Sequence, residues 1–236
     1  MTTVTDIRQA LESDGDGYLY RNRAGIGTIA DPVTDAVLEI HATTPIGRVL
    51  EIGCSTGFRL EKLRMRLGAD CHGLEASPDA VHEGRAAYPL LHLEQGLAPE
   101  DLDTWRGSRF DCIILGFFTY LLPRESLFSL AATVDQLLAD GGHLIVFDFL
   151  SPSPTSSPYA HHPALTTYKA DPSAPWLWSP TYCLVNRSVY SLTDEPSQNA
   201  DPGNWKTLDV LRKNPVTAAY PSSARMPSVH DGPASA

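Results

Sequence analysis

The sequence predicts an α/β fold built on a doubly wound, mostly parallel β-sheet. Short apolar runs typical of buried strands alternate with helical patterns up to about residue 150. One of these runs, FDCIILG at residues 110–116, is almost unbroken, as in strands that are buried on both faces of a sheet. Another, VLEIG at residues 49–53, leads through a glycine turn into a helical pattern, an arrangement that binds small anionic or nucleotide-like ligands.

The first half of the sheet domain is predicted from caps, prolines and apolar periodicity. Asp31-Pro32 starts a helix, with Asp31 as its N-cap and proline in its first turn. Strand one covers residues 48–52, and the helix after the glycine turn stops at Gly68. The other elements predicted here are strand two at residues 71–75, a helix that starts at Ser77-Pro78 and runs to about Tyr88, and strand three at residues 90–94.

The second half continues the alternation and then changes in character. Strand four is FDCIILG, Pro123 starts a long helix that ends at Asp140, and strand five covers residues 143–149. Residues 151–158 are a Pro/Ser linker that leads into an aromatic and histidine-rich insertion reaching residue 180. Two further strands, at residues 182–192 and 205–213, complete the sheet as an antiparallel pair, and residues 215–236 are predicted to be a disordered tail.

Composition limits the classes of function. A chain of 236 residues suits one α/β domain, and a net charge of −10 without a basic stripe makes a nucleic-acid partner unlikely. The longest basic cluster, residues 59–66, has the spacing of a solvated helix face. No 18-residue apolar run and no charged-then-apolar amino terminus with a cleavage site is seen, so no signal peptide is expected, and the four cysteines are far apart. We therefore predict a soluble, cytoplasmic protein without a metal site.

The glycine turn fails the two common phosphate-binding patterns. In the G-x-G-x-x-G pattern the second and third glycine positions hold Ser55 and Phe58, and a P-loop would need glycine and lysine where Phe58 and Arg59 stand. Glu75, at the end of strand two, lies where a carboxylate accepts both hydroxyl groups of a ribose. The turn therefore predicts a ligand that contains a ribose but needs no space for a diphosphate.

Four segments together resemble one enzyme family. VLEIGCSTG is similar to the first motif of class I S-adenosylmethionine-dependent methyltransferases, and GLEASPDAV to their second-strand motif. FDCIILGFFTYL and LLADGGHLIVFDF resemble the fourth-strand and fifth-strand segments of the same family. The likeness covers residues 31–150, with a looser likeness to bacterial biosynthetic members in the insertion. It implies a Rossmann-like, seven-stranded sheet in the order 3-2-1-4-5-7-6 with strand seven antiparallel.

The resemblance also implies a cofactor, S-adenosyl-L-methionine, and the residues that bind it. Glu51 would bind the amino end of the methionine part, and Glu75 the ribose. One departure from the family is the absence of an aspartate after strand three, so that only backbone groups there can bind the adenine edge. The remaining cofactor residues implied are Gly53, Cys54 and Gly57 at the methionine, Ala76, Gly96, Leu97 and Ala98 at the adenine, and Gly116 and Phe117 beside the methionine and the substrate entry.

The amino-terminal segment, residues 1–30, is predicted to form a helical lid. Its stretch GYLYRNR is aromatic and basic, and family members often fold such a segment over the cofactor. Tyr18 and Tyr20 would then border the acceptor, with Tyr20 also a catalytic candidate, and Arg21 would pair with the cofactor carboxylate. The alternative is a surface helix that packs its tyrosines on the core.

The candidate bases lie after or at the end of strand five, whose carboxyl end faces the crevice. His161 and His162 have the side chain suited to take a proton near neutral pH, and Asp148 is a second candidate. The alternatives are hydrogen bonding within an ordered loop for the histidines and a role in the strand end for Asp148. Tyr159, Tyr168 and Trp176 are predicted to contact a flat or apolar acceptor, or else to pack the insertion.

The sequence therefore predicts methyl transfer to a small molecule, such as a specialised metabolite or a sugar-linked intermediate. Three alternatives stay open: a methyltransferase acting on protein or RNA, a cofactor-binding protein without transferase activity, and, less favoured, a nicotinamide oxidoreductase. The acceptor, the element that receives the methyl group and the oligomeric state are left open.

Overall fold

The helices and strands follow the predicted alternation. The computed structural model describes residues 4–25, 31–192 and 201–222. Its helices are α1 (Val4–Asn22), α2 (Pro32–His41), α3 (Phe58–Leu67), α4 (Pro78–Ala87), α5 (Leu127–Leu137), α6 (Ala174–Leu177) and α7 (Val216–Ala219). Its strands are β1 (Arg48–Ile52), β2 (Asp70–Glu75), β3 (His92–Gln95), β4 (Phe110–Gly116), β5 (Leu138–Leu150), β6 (Thr155–Pro158), β7 (Thr166–Lys169), β8 (Tyr182–Ser191) and β9 (Trp205–Lys213).

Seven strands form one sheet in the order β3-β2-β1-β4-β5-β9-β8. The strands β3, β2, β1, β4 and β5 are parallel to their neighbours, and β9 runs antiparallel to both β5 and β8. Since β8 and β9 are the sixth and seventh strands of this sheet, the predicted order 3-2-1-4-5-7-6 with an antiparallel seventh strand is confirmed. The order reverses between β1 and β4, and in open α/β sheets ligands bind in the crevice at such a switch point.

Helices cover both faces of the sheet. On one face α2, α3 and α4 pack on alternate strand residues such as Cys112 and Ile114. On the other, a 3₁₀ helix (Glu100–Trp105) and α5 pack on Ile113 and Leu115. This double burial is why FDCIILG has almost no polar residue.

Several predicted boundaries differ from the structure. Strand β3 starts two residues later than predicted, and α5 ends at Leu137, followed directly by β5. The pairing of β4 with β5 shifts register between Phe110 and Cys112, and this irregularity accommodates residues 139–142, including Gly141 at φ 83°. The predicted linker 151–158 is partly a strand, because β6 and β7 form a hairpin of their own. Residues 216–219 of the predicted tail are helical. The rest of the tail from residue 223 lies outside the described residues, as do residues 193–200 of the predicted turn and residues 1–3 and 26–30 of the lid segment.

The predicted helix ends are largely as the sequence indicates. Ser77 caps α4 with its hydroxyl, which accepts a hydrogen bond from the backbone N–H of Ala80. Gly68 ends α3 in the left-handed conformation, at φ 67°. Asp31 holds the N-cap position of α2, but its carboxylate accepts from the Thr34 hydroxyl and from Arg59 rather than from the backbone. Asp31 therefore forms hydrogen bonds with side chains and does not cap the backbone of α2.

Helix α1 lies over the carboxyl ends of the strands and is tied down by polar contacts. Arg8 binds Asp101 across 2.9 Å, and Asp16 accepts a hydrogen bond from the Ser77 hydroxyl at the start of α4. The amino-terminal helix therefore covers the switch point as predicted for a lid.

All four cysteines are free thiols. Within the three described ranges, no helix has the length and apolar character needed to cross a bilayer.

Candidate functional site

A cavity of about 650 Å³ opens at the switch point beneath α1. Its floor is formed by the carboxyl ends of β1, β2 and β4, and its roof includes Asp14, Gly15 and Tyr18 of α1. Predicted cofactor residues that line it are Glu51, Gly53, Cys54, Glu75, Ala76, Gly96, Leu97, Ala98, Gly116 and Phe117. The structure thus gathers these residues around one space, and their contact with a cofactor stays a prediction.

A buried chain of charges occupies one side of the cavity. Arg59, near the start of α3, donates to Glu51 at the end of β1 and, through Nε at 2.8 Å, to Asp31 before α2. The side chains of Glu51, Asp31 and Arg59 are 1%, 8% and 12% exposed. One guanidinium therefore holds two carboxylates that water hardly reaches.

The protonation of Glu51 reflects this setting. Burial raises the pKa of the Glu51 carboxyl to about 7, although the Arg59 charge opposes the shift. Its Oε2 atom is buried and accepts no hydrogen bond in the described structure. A buried acceptor without a donor is costly, so this atom is suited to a cationic donor entering the cavity.

Glu75 is held by the two loops that flank it. Its carboxylate accepts from the backbone N–H of Ser55, at 2.7 Å, and from that of Ser77, at 2.9 Å. Ser55 takes a positive φ of 51° in the turn, and its hydroxyl is also buried without a partner. The turn therefore fixes the carboxylate at the cavity wall, at the position predicted for ribose binding.

Two glycines allow the ends of β1 and β4 to approach each other. A Cβ atom on Gly53, which has φ 78°, would lie 3.1 Å from the carbonyl oxygen of Gly116. A Cβ on Gly116 would lie 3.3 Å from Arg59 Nη1 and 3.5 Å from Glu51 Oε1. Side chains here would crowd the charged group. Gly57 differs from its prediction: it caps α3 at φ 78° and does not line the cavity, because it faces the side chains of Leu91 and Leu93, which a Cβ atom would meet at 2.9 Å and 3.2 Å.

The backbone groups of Leu97, which are predicted to bind adenine, already form hydrogen bonds within their own loop. Asp101 accepts from the Leu97 backbone N–H at 2.8 Å, and the Leu97 carbonyl accepts from the Asp101 N–H at 2.8 Å. Both polar backbone groups of Leu97 are therefore used within the loop. The apolar part of Leu97 and the neighbouring Ala98 remain as cavity wall.

The other end of the cavity is aromatic. Phe117, Phe147 and Tyr190 line it, with Phe117 and Phe147 edge-to-face at 4.9 Å and Phe147 and Tyr190 at 6.3 Å between ring centres. Lys206 of β9 lies beside them, with its ammonium 5.7 Å from the centre of the Phe147 ring. This end has the flat apolar walls that suit a small organic acceptor.

The lid residues separate into an inner and an outer set. Tyr18 lines the cavity, and its charged neighbours are Arg59, Glu75 and Glu51, which places it over the predicted cofactor side. Tyr20 is 59% exposed and donates to Asp79 of α4 at 2.7 Å, so its predicted catalytic role is not supported. Arg21 pairs with Asp14 at 3.1 Å and does not line the cavity, because it points along α1.

The histidine pair lies outside the cavity. His161 and His162 are in the loop between β6 and β7, where His162 Nδ1 accepts from the Ala164 backbone and His161 packs against Tyr159. Tyr159 in turn meets Tyr120, a cavity residue, with 3.5 Å between the hydroxyl oxygens. The predicted acceptor residue Tyr159 therefore does not line the cavity but contacts Tyr120, which does. The histidines lie further from the cavity because they are in the loop between β6 and β7.

Asp148 holds a loop rather than facing the cavity. Its Oδ2 atom accepts from the backbone N–H and the hydroxyl of Thr119, at 2.9 and 2.6 Å, and Oδ1 accepts from the Phe149 N–H. The side chain is buried, and burial raises its pKa to about 6. Both oxygens accept hydrogen bonds, so Asp148 fixes the loop after β4, which carries Phe117 and Tyr120, and its role as a base stays a prediction.

Two residues predicted to contact the acceptor pack elsewhere, one in the hydrophobic core and one within the insertion. Trp176 is 2% exposed and packs in the hydrophobic core with Leu130 and Val134 of α5. Tyr168 stacks under the Arg124 guanidinium at 4.7 Å and donates its backbone N–H to the Tyr120 carbonyl. Neither lines the cavity, because the insertion packs outside the loop after β4.

A cluster of possible metal ligands lies at the other edge of the parallel strands. Ligand atoms of Asp70, His72 and His92 lie within 4.8 Å of one another. Arg48 already pairs with Asp70, and the indole N–H of Trp105 donates to Nδ1 of His72. That hydrogen bond leaves the proton of a neutral His72 on Nε2, so the cluster is a satisfied polar network.

Arg59 and Lys206 are the basic residues of the described cavity lining, and neither is predicted from the sequence as a site residue. The spacing of residues 59–66 predicts a solvated helix face for Arg59, yet its position directly behind the glycine turn, at the start of α3, is the signal that indicates the cavity. Lys206 carries no local signal, because its approach to the cavity depends on the antiparallel pairing of β9 with β5.

Comparison with known proteins agrees with the motifs and the topology. Residues 49–142 match the family described as a methyltransferase domain. A 1,6-didemethyltoxoflavin-N1-methyltransferase from Burkholderia thailandensis, solved with 1,6-didemethyltoxoflavin and S-adenosylhomocysteine, aligns with a TM-score of 0.67 at 17% identity, over 91% of this chain and 92% of its own. A comparison with curated protein sequences finds no match.

Two other solved structures show the same fold. A DhpI–SAH complex aligns with a TM-score of 0.60 at 17% identity, over 90% of this chain and 100% of its own. Streptomyces venezuelae DesVI aligns with a TM-score of 0.53 at 17% identity, over 84% of this chain and 97% of its own. The domain match and the shared fold agree with the predicted resemblance to class I methyltransferases.

Proposed function

We propose that the protein is a class I S-adenosylmethionine-dependent methyltransferase that methylates a small-molecule acceptor held in the aromatic end of its cavity. The observation that carries the proposal is one cavity with two unlike ends. A charged end holds Glu51, Arg59 and Glu75, and an aromatic end holds Phe117, Phe147 and Tyr190.

The charged end fits S-adenosylmethionine. The orphaned, buried atoms Glu51 Oε2 and Ser55 Oγ are polar groups that lack partners, as expected where a polar ligand binds. Glu51 would bind the cofactor's amino group, Arg59 its carboxylate, and Glu75 the ribose hydroxyls. Gly53 and Gly116 would leave room for the methionine part.

The residues of this chain align the reaction rather than supply its reactivity. The bound cofactor supplies an electrophilic methyl group on a sulfonium. Phe117 and Phe147 hold a flat acceptor against that end of the cavity, and Tyr18 with α1 limits the access of water. Asp148 keeps the loop of Phe117 in place through Thr119.

A small acceptor is favoured over a macromolecule. The aromatic end is lined by one residue each from β5, β8 and β9, and the net charge of −10 opposes the binding of RNA. The Burkholderia neighbour was solved with bound 1,6-didemethyltoxoflavin, which supports a specialised metabolite as acceptor. The free thiols of all four cysteines agree with a cytoplasmic location.

We expect turnover when the purified protein meets S-adenosylmethionine and a mixture of small heteroaromatic, phenolic and carboxylic acceptors. Mass spectrometry should detect S-adenosylhomocysteine together with one product heavier by a methylene group. Phe147→Ala should reduce product formation while S-adenosylhomocysteine affinity stays unchanged, because Phe147 lies at the aromatic end. Methylation of RNA or protein substrates in preference to every small compound would contradict the proposal.

A further inference from the structure

Lys206 is a cation on the cavity wall without a carboxylate partner. Arg59, the other basic residue that lines the cavity, is paired with Glu51 and Asp31. Among residues 4–25, 31–192 and 201–222, no side chain forms an ion pair or a hydrogen bond with the Lys206 ammonium, not even the cavity residue Asp35. The charge is therefore available to a ligand.

The surroundings of Lys206 select for a flat molecule. Lys206 is the register partner of Tyr190 on β8, and the two side chains project from the same face of the sheet. The Phe147 ring lies next to both, 6.3 Å from the Tyr190 ring centre. A planar ligand lying on these rings would bring a substituent at its edge to the ammonium.

The cavity provides few groups that could remove a proton. No histidine among the described residues lines it. Four of its carboxylates are already engaged: Glu51 and Asp31 by Arg59, Glu75 by backbone N–H groups, and Asp14 by Arg21. Asp35, at the exposed side of α2, is the carboxylate of the described cavity lining that remains. Burial raises the pKa of the Tyr120 hydroxyl well above its usual value. An acceptor that has already lost its proton would need no base.

We propose that the acceptor is a planar organic anion, an aromatic carboxylate or an acidic ring oxygen or nitrogen, whose charged group pairs with Lys206. This inference rests on the proposed function and names its substrate class. A lone pair of the anion forms the bond to the methyl carbon, and the carbon–sulfur bond breaks with its electron pair on sulfur. The products are the neutral methylated acceptor and S-adenosylhomocysteine, and no proton is released.

The test compares an anion with its neutral counterpart on the same protein. Calorimetry measures the affinity of 2-naphthoate and of 2-naphthamide for the protein saturated with S-adenosylhomocysteine. We expect the parent to bind 2-naphthoate about tenfold more tightly than 2-naphthamide, and Lys206→Arg to keep this preference. Lys206→Met should lose it while binding S-adenosylhomocysteine like the parent.

Lys169→Met is the matched control, because Lys169 also lies over an aromatic ring, 4.5 Å from Phe149, but does not line the cavity. It should keep the parent's preference. Equal affinities in the parent, an unchanged preference in Lys206→Met, or the absence of 2-naphthoate binding would each overturn the inference. S-adenosylhomocysteine binding is measured first. A protein that does not bind S-adenosylhomocysteine would count against the proposed function. A protein that binds it but does not prefer 2-naphthoate would count against this inference alone.

Discussion

Arg59→Met is expected to lower the free energy of unfolding by about 3 kcal/mol at pH 8. The substitution keeps most of the side-chain volume but leaves Glu51 and Asp31 buried without their counter-charge. Removing one member of a buried ion pair is costly because the remaining charge has neither water nor a partner. Urea unfolding followed by circular dichroism measures the effect.

The cost should be smaller at pH 5. The folded-state pKa of Glu51 is raised to about 7 from a usual value of 4.5, so the folded protein binds more protons than the unfolded chain between these values. Stability therefore falls as the pH rises through this window. Without Arg59 the pKa of Glu51 rises further, so the loss relative to the parent grows toward pH 8.

Arg64→Met is the matched control on the same helix. Arg64 pairs with Glu61, three residues away, where the side chains are 25% and 23% exposed, and a partly exposed pair within one helix contributes little. The control should unfold at the parent's urea concentration. If Arg59→Met also unfolded at the parent's urea concentration at pH 8, the contacts of Arg59 with Glu51 and Asp31 would not stabilise the fold as their geometry indicates.

Glu75→Ala is expected to weaken S-adenosylhomocysteine binding by about a hundredfold. The change removes a carboxylate that the N–H groups of Ser55 and Ser77 hold at the cavity wall, and with it about two hydrogen bonds between a charged acceptor and the ribose, together near 3 kcal/mol. Calorimetry measures the dissociation constant, and a melting curve checks that the variant is folded.

Glu94→Ala is the control for this prediction. Glu94 is the register partner of Leu74 on the neighbouring strand, and its carboxylate is exposed and pairs with Arg85. This variant should bind S-adenosylhomocysteine like the parent. An affinity of Glu75→Ala within threefold of the parent would exclude Glu75 from the ribose site.

Local signals in the sequence are sufficient for most of the fold. The apolar run of β4, the caps at Ser77 and Gly68 and the glycine turn each depend on neighbouring residues, and the structure has them where they were predicted. The cavity floor could be located for the same reason, because parallel strands bring their carboxyl ends to one edge. Glu51 and Glu75 are the last or nearly the last residues of β1 and β2.

The remaining site residues depend on tertiary packing. The histidine pair follows strand five in sequence, but the β6–β7 hairpin carries it away from the cavity. Trp176 is aromatic like a binding residue but fills a space in the core beside α5. Lys206 reaches the cavity only because β9 pairs with β5 and β8, a relation between distant segments that periodicity does not encode.

Titration of S-adenosylhomocysteine into the purified protein, with NAD as the comparison ligand, tests the central claim most directly. We predict saturable binding of one molecule per chain and, at a hundredfold excess over the dissociation constant, a stabilisation of about 2.7 kcal/mol and a rise in melting temperature of roughly 5–10 °C. NAD should produce neither, because the turn at Ser55 and Phe58 lacks the glycines of the dinucleotide pattern. Binding of NAD without binding of S-adenosylhomocysteine, or no response to either ligand in a folded sample, would contradict the account.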